Sequence, residues 1–386
     1  MNGGSMLKVG TGWSDEQHGG KAAECALDMA VAGLDGLAPQ AIVIYGAVDV
    51  NLDDVTKVVR QRHPDVPVIG CTTDGEIAGG EGFLEDSLVI TMFASDSIKF
   101  GVGLGHGAIA DPVGAASAAV EAARAQVAGE PALCLALLEG LGTNIRTLVE
   151  AIRDTVGAQV PIVGGAAGDQ LRFQQTRQLC NDTVTSDAVV VMVWSGPIKI
   201  GTGVATGYTP LGQPHTVTRA EGAVVHEIDN RPAADLYSDY LQQPSIFYPL
   251  SVHDETRQSL VLSSPLNFNS ETGELHLVNP VPQGSVVQLA TASRQEIVDA
   301  ARNAVGQAAT ALGDAKVDAA LLFSCAGRRA TLGTRTGEEY ASIQSIIGDG
   351  VPTSGFYCYG EIVPETVGGA SLTHTNAFVA VLLSTD

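Results

Sequence analysis

The sequence predicts an α/β protein, with repeated strand-helix-strand units forming mixed sheets with flanking helices, plus one β-rich insertion. Three observations carry this expectation. A Val-Pro-x-x-Gly turn occurs three times, beginning at Val66, Val160 and Val351. Each copy follows a stretch of helical spacing and, before it, a short apolar run: AIVIYGA from Ala41, ALCLALLEG from Ala132 and AALLFSCAG from Ala319. Runs of this length bounded by turn residues read as strands buried on both faces. Finally, SLVITMFASDSIKFGVG from Ser87 and AVVVMVWSGPIKIGTG from Ala188 follow the first two turns and match closely, Met92 with Met192 and Lys99 with Lys199, while AFVAVLLSTD closes the chain after the third. Self-similarity of this kind marks a repeated supersecondary unit.

The elements follow in order. Helices are expected over residues 53–62, 112–127, 146–156, 295–312 and 337–347, with Pro, Asp and Asn near the starts, where they suit caps and first turns. The three turns read GCTTDGEI from Gly70, GGAAGDQ from Gly164 and GFYCYGEI from Gly355, so the first and third share a Gly-Glu-Ile ending. Between the second and third units the texture changes. Residues 220–241 read as a strand or turn leading into a short helix, and residues 245–292 as strands broken by NFNSETGE and PVPQGS. The segment TPLGQPHTVTR is rich in turn formers, which predicts a boundary near residues 210–219.

Composition narrows the function classes. At 386 residues the chain exceeds the usual size of a single core. Its 43 acidic against 21 basic residues give a formal charge of −22, which repels a phosphate backbone or an anionic bilayer. Neither nucleic acid nor membrane is therefore an expected partner. The sequence has no apolar run of membrane-spanning length and no signal-peptide pattern, so a cytoplasmic location is expected. The cysteines, Cys25, Cys71, Cys134, Cys180, Cys325 and Cys358, show no CxxC spacing and read as reduced thiols. GxxxxGK, HExxH and GxSxG are absent, and GVGLG at Gly101 lacks the full dinucleotide spacing, so no enzyme is expected.

Four motifs occur in one order: GCTTDGEIAG from Gly70, NRPAADLY from Asn230, FSCAGRRATLG from Phe323 and GFYCYGEIVP from Gly355. Together they resemble the FIST (F-box and intracellular signal transduction) family, with an N-terminal domain over residues 1–210 and a C-terminal domain over residues 220–386. The resemblance implies a sensory module for small ligands such as amino acids or their derivatives. Members of the family are often fused to kinase, cyclase or chemotaxis modules; none is recognised in this sequence, so output is expected through a separate partner, a histidine kinase or a cyclic-dinucleotide enzyme. One branch of the family consists of stand-alone haem-binding nitric-oxide sensors, which implies haem b held non-covalently, since no CxxCH attachment sequence exists.

Candidate site residues come from the turns, because open α/β sheets bind ligands at strand ends. In the first unit they are Cys71, Thr72, Thr73, Asp74 and Glu76, hydroxyls for a ligand carboxylate and carboxylates for an ammonium. The competing reading is that Thr72 and Asp74 only satisfy the turn's own backbone and Glu76 caps a neighbour. In the third unit they are Cys325, Arg328, Tyr357, Tyr359, Glu361 and Asn376, with Arg328 either a carboxylate clamp or a salt bridge. Strand alternation sets Tyr357 and Tyr359 on one face and Phe356 and Cys358 on the other. Cys71, Cys325 and Cys358 are candidate reactive thiols or small hydrophobes. For haem ligation the candidates are His226 and His374. The expected mechanism is a ligand bridging the first and third turns. A ligand-free interaction scaffold and a cysteine-dependent enzyme are the alternatives.

Overall fold

A computed structural model describes residues 6–255, 257, 259–348 and 350–386. The three apolar runs form strands Ala41–Ala47, Pro131–Leu138 and Ala319–Cys325. Each leads through a helix, Leu52–Arg62, Ile145–Val156 or Gly337–Ile347, to the strand of its Val-Pro turn, Val68–Thr73, Ile162–Ala166 or Thr353–Cys358. Run and turn strand pair in parallel each time, as a strand-helix-strand crossover requires. Each unit also opens with a strand and helix: Leu7–Ser14 with Gly19–Ala32, Lys99–His106 with Pro112–Arg124, and Lys199–Ala205 with Arg294–Leu312. The closing strands are Leu88–Ser95, Ala188–Ser195 and Phe378–Ser384.

Among the described residues the three sheets have one strand order: opening, closing, run, turn, then a hairpin from another unit. The exchange is cyclic. The hairpin Glu76–Ala78 with Gly82–Leu84 leaves the first unit for the third unit's sheet. Gln178–Cys180 with Thr183–Thr185 leaves the second for the first, and Glu361–Pro364 with Ser371–His374 leaves the third for the second.

Helix starts obey local chemistry. Asn51 Oδ1 accepts from the N–H of Asp53 and Asp54, Asn144 Oδ1 accepts from Thr147, and Ser293 with Glu296 forms a capping box. The helices Gly19–Ala32 and Ala326–Leu332 escaped the sequence reading. The first has no side-chain cap and the second spans barely two turns, so neither carries a strong start signal.

The inner faces of the sheets share one core, built around Tyr45, Phe93, Trp194, Phe323 and Phe356, and helices cover the outer faces. The helices lie unusually close to the opening strands. A Cβ on Gly10, Gly103 or Gly203 would fall 1.9, 1.8 or 2.0 Å from the carbonyl oxygen of Ala30, Ala119 or Ala304. The GVGLG segment thus serves helix-on-strand approach.

The insertion forms an antiparallel sheet with its own core of Val217, Tyr237, Leu250, Leu275 and Leu289. Its first strand, Thr209–Glu221, contains the segment expected as a turn-rich boundary. A shift of register between Leu211 and His215, with Gly212 at φ 81°, absorbs the Gly and Pro residues. That strand then pairs on with Val224–Ile228 and so links the two halves of the insertion sheet. No helix among the described residues is long and apolar enough to cross a membrane.

Candidate ligand cavity

The run strand of the third unit ends at Cys325, in register with Cys358 on the turn strand. Beyond Cys325 opens a cavity of about 150 Å³ at the junction of the second unit, the third unit and the insertion. The second unit supplies residues 140–143, Ile145, Leu171 and Phe173. The third supplies residues 325–327, Tyr359, Thr375 and Asn376, and the insertion closes the space with Ile246, Ser264, Leu266 and Val278. No charged side chain lines it among the described residues.

One side is a strained loop. Gln170, Leu171 and Phe173 stand at φ 57°, 57° and 51°, a region that bulky side chains occupy only when their surroundings force it. The buried Asp169 supplies that force, accepting from the N–H of Phe173, Gln174 and Gln175 at 2.9, 2.7 and 3.0 Å. Tyr359 Oη donates to the same carboxylate and accepts from the N–H of Leu171 at 2.8 Å. Burial opposes ionisation of Asp169, but these hydrogen bonds together hold its carboxyl below the usual range. Phe173 stacks on the Tyr359 ring at 5.2 Å.

The inner end is polar but uncharged. Glu361 is fully buried, accepts from Ala377 N–H at 3.1 Å and takes the Cys358 thiol at 3.4 Å. Burial pushes its carboxyl up to about 8, which favours the protonated form. Burial, then the neighbouring Glu361, also pushes the Cys325 and Cys358 thiols up. Asn376, at φ 55°, accepts from Ser264 Oγ at 3.0 Å, which ties the third unit to the insertion.

Of the residues singled out in the sequence, Cys325, Tyr359 and Asn376 line this cavity, with Glu361 directly behind it. The others lie elsewhere. Cys71 sits in the central core, and Thr72 Oγ1 accepts from Arg177 N–H at 2.9 Å. Thr73 donates to Glu76, which also accepts from Ser87, and burial pushes the Glu76 carboxyl up to about 7. Asp74 accepts from Leu171 N–H at 2.8 Å and from Arg329 at 3.0 Å, and burial outweighs both to raise it to about 6. The first-unit turn thus spends its polar groups on itself and on neighbouring loops. Arg328 is fully buried on Glu339 at 2.6 Å and on the carbonyls of Thr206 and Ile297, facing away from the cavity. Tyr357 Oη donates to the same Glu339 at 2.6 Å.

The two candidate histidines lie apart from the cavity. His226 lies in the insertion with Nδ1 on Glu274 at 2.6 Å. His374 is buried with Nδ1 near Arg257 and Ser259 and Nε2 towards Val363 O, and burial drops its pKa to about 4. Neither lines the cavity, whose volume matches a single ring far better than a porphyrin. Among the described residues no group of three or more His, Cys, Asp or Glu side chains is placed to hold a metal ion.

Sequence reasoning missed Asp169, Leu171, Phe173 and Ser264. One signal was present: the second turn departs from the other two just here, reading GDQLRF where they read GEI.

The sequence matches the family model of the FIST N domain over residues 40–231 and that of the FIST C domain over residues 233–364. An uncharacterized protein of Mycobacterium tuberculosis (strain H37Rv) is 25% identical over 395 aligned positions, covering 95% of this chain and 97% of the relative. An uncharacterized protein of Methanocaldococcus jannaschii is 33% identical over 131 residues, covering 32% of this chain and only 26% of the archaeal protein. Among solved structures, the cyanuric acid hydrolase of A. caulinodans aligns with 97% of this chain and 99% of its own. Its TM-score of 0.38 and 11% identity carry no argument about fold or activity.

Proposed function

Because the chain belongs to the FIST family, whose domains generally serve as small-ligand sensory domains in signalling proteins, we propose that it senses a small organic molecule in the Cys325–Asn376 cavity. The observation that carries this reading is where the cavity lies. Its walls come from two repeat units and the insertion, so occupancy changes the contact of three bodies at once. Small-molecule sites favour such junctions. The strained loop at Leu171 and Phe173 is the element most readily shifted, because a ligand in van der Waals contact there changes which backbone arrangement is lowest in energy. Leu171 also borders a second surface hollow beside Arg329 and Glu85, which gives the loop a route to the exterior. Signalling then requires only that the ligand bind one loop state more tightly than the other.

A partner in trans reads that state, and a histidine kinase or cyclic-dinucleotide enzyme in the cytoplasm is the expectation inherited from the family resemblance. Binding is favoured over catalysis because burial suppresses the thiolate form of Cys325 and Cys358, the form that a nucleophilic cysteine needs. An organic ligand is favoured over haem because neither candidate histidine lines the cavity, which has room for a single ring. The test is hydrogen exchange on the full chain, with and without compounds found by thermal-shift screening of a metabolite library. Protection should appear together at residues 140–145, 171–173, 264–266 and 375–376. Hits that protect only other regions would refute the assignment.

A further inference from the structure

We infer that the ligand of this cavity is an uncharged, mainly apolar molecule about the size of one aromatic ring, with a single hydrogen-bonding group, and is not an amino acid. This rests on the sensory reading of the same cavity. Its walls are largely carbon, from Leu141, Ile145, Leu171, Phe173, Leu266 and Val278, and its volume is about 150 Å³. An engineered apolar cavity of that size in another protein takes up benzene.

The polar atoms at its surface are mostly committed. Tyr359 Oη serves Asp169 and the Leu171 N–H. Thr375 Oγ1 donates to Leu262 O, Thr143 Oγ1 donates to Glu139 O at 3.0 Å, and Ser264 Oγ donates to Asn376. What is left to face a ligand is an amide proton of Asn376, whose other contact is Tyr208 Oη at 3.4 Å, because the Cys325 sulfur takes the Gly327 and Asn376 N–H groups and its thiol donates to Glu361. It lies on the third-unit side, so one hydroxyl or carbonyl oxygen is what the cavity can satisfy.

An ammonium or carboxylate finds no counter-charge. Asp169 is enclosed by its loop and Asp74 is held by Arg329. Glu139 turns its carboxylate to the N–H of Gly140, Leu141 and Asp187, at 2.9, 3.0 and 2.7 Å. Glu361 lies behind the thiol, where burial disfavours its charged form. At the mouth, Phe173 and Leu266 are 48% and 49% exposed, so an entering molecule meets apolar surface first. The stacked Phe173 and Tyr359 rings suit a planar guest.

Isothermal titration of the full chain with p-cresol and acetophenone, against L-tyrosine and L-phenylalanine, tests this with matched rings. The neutral compounds should bind saturably and the amino acids at least about 100-fold more weakly, since desolvating unpaired charges opposes them. Leu266→Glu should weaken p-cresol binding at least tenfold. Phe173→Asn, a residue that tolerates the left-handed backbone, should do the same, so the result does not hang on one variant's folding. Amino acids binding as tightly as the neutral rings, with both variants impaired, would overturn the ligand class and leave the sensory site standing. If neither set binds and screening hits leave the cavity unprotected in hydrogen exchange, the class and the site fall together. Charged hits that do protect the cavity overturn the class alone.

Discussion

Glu361 and Glu76 occupy the same place in two of the exchanged hairpins, opposite Gly165 and Phe356 of the receiving sheets. Both carboxyls are buried, and burial raises them from 4.5 to about 8 and about 7. A carboxyl raised on folding binds its proton more tightly in the native state. Its stabilisation is complete below the unfolded pKa and is lost as pH climbs through the folded one. His374 acts in the opposite sense. Lowered from 6.5 to about 4, it stabilises fully above 6.5 and loses that contribution as pH falls towards 4. The effects oppose one another at acidic pH, while above about 6.5 only the carboxyls act. Folding stability should therefore decline from pH 6.5 to 8, with a slope on the order of 1 kcal/mol per pH unit for each titrating carboxyl. In Glu361→Gln the decline above pH 7 should flatten. Urea midpoints across this range measure it, and an unchanged slope in the variant would show that Glu361 is ionised throughout.

At the scale of elements, the Gly-x-Gly spacing in the three opening strands sets how closely the first helix of each unit lies on its sheet. Gly103 has the Ala119 carbonyl where its Cβ would be, at 1.8 Å, so Gly103→Val must lift the helix Pro112–Arg124 away. The cost should be about 3 kcal/mol or more, read as a drop in the denaturation midpoint. Gly306 provides the contrast, since a Cβ there meets nothing within 4 Å on the helix Arg294–Leu312. Gly306→Ala should stabilise by about 0.5–1 kcal/mol. The same comparison explains the GVGLG segment. In sequence, GVGLG has the composition of a phosphate loop, but it lies inside strand Lys99–His106 and its glycines serve packing. The helix Gly19–Ala32 was illegible for a related reason: its buried face is almost all Ala and Gly, too weak an apolar stripe to declare a period.

Across the whole molecule, cyclic exchange of hairpins makes each sheet depend on another unit. The first unit's Glu76–Ala78 strand pairs with Thr353–Cys358, and the third unit's Glu361–Pro364 pairs with Ile162–Ala166, so pairing crosses residues 210–220 in both directions. The three units should therefore unfold in one transition, with coincident midpoints by circular dichroism and by core amide exchange. The insertion, which has a core of its own, should exchange earlier. Separate midpoints for residues 6–205 and 294–386 would contradict this. The sequence alone determined the repeat, the run, turn and closing strands, most helices and the family, because these rest on local periodicity, caps and turn residues that each segment carries itself. It also pointed to Cys325, Tyr359 and Asn376, which sit at strand ends inside or beside recognisable motifs. Only the tertiary structure decided which sheet each hairpin joins and which polar residues face a cavity. It turned Arg328 onto Glu339 and brought Leu171, Phe173 and Ser264 together. Those outcomes depend on contacts between residues far apart in the chain, set by how three sheets and an insertion close on one another, and no local pattern encodes them.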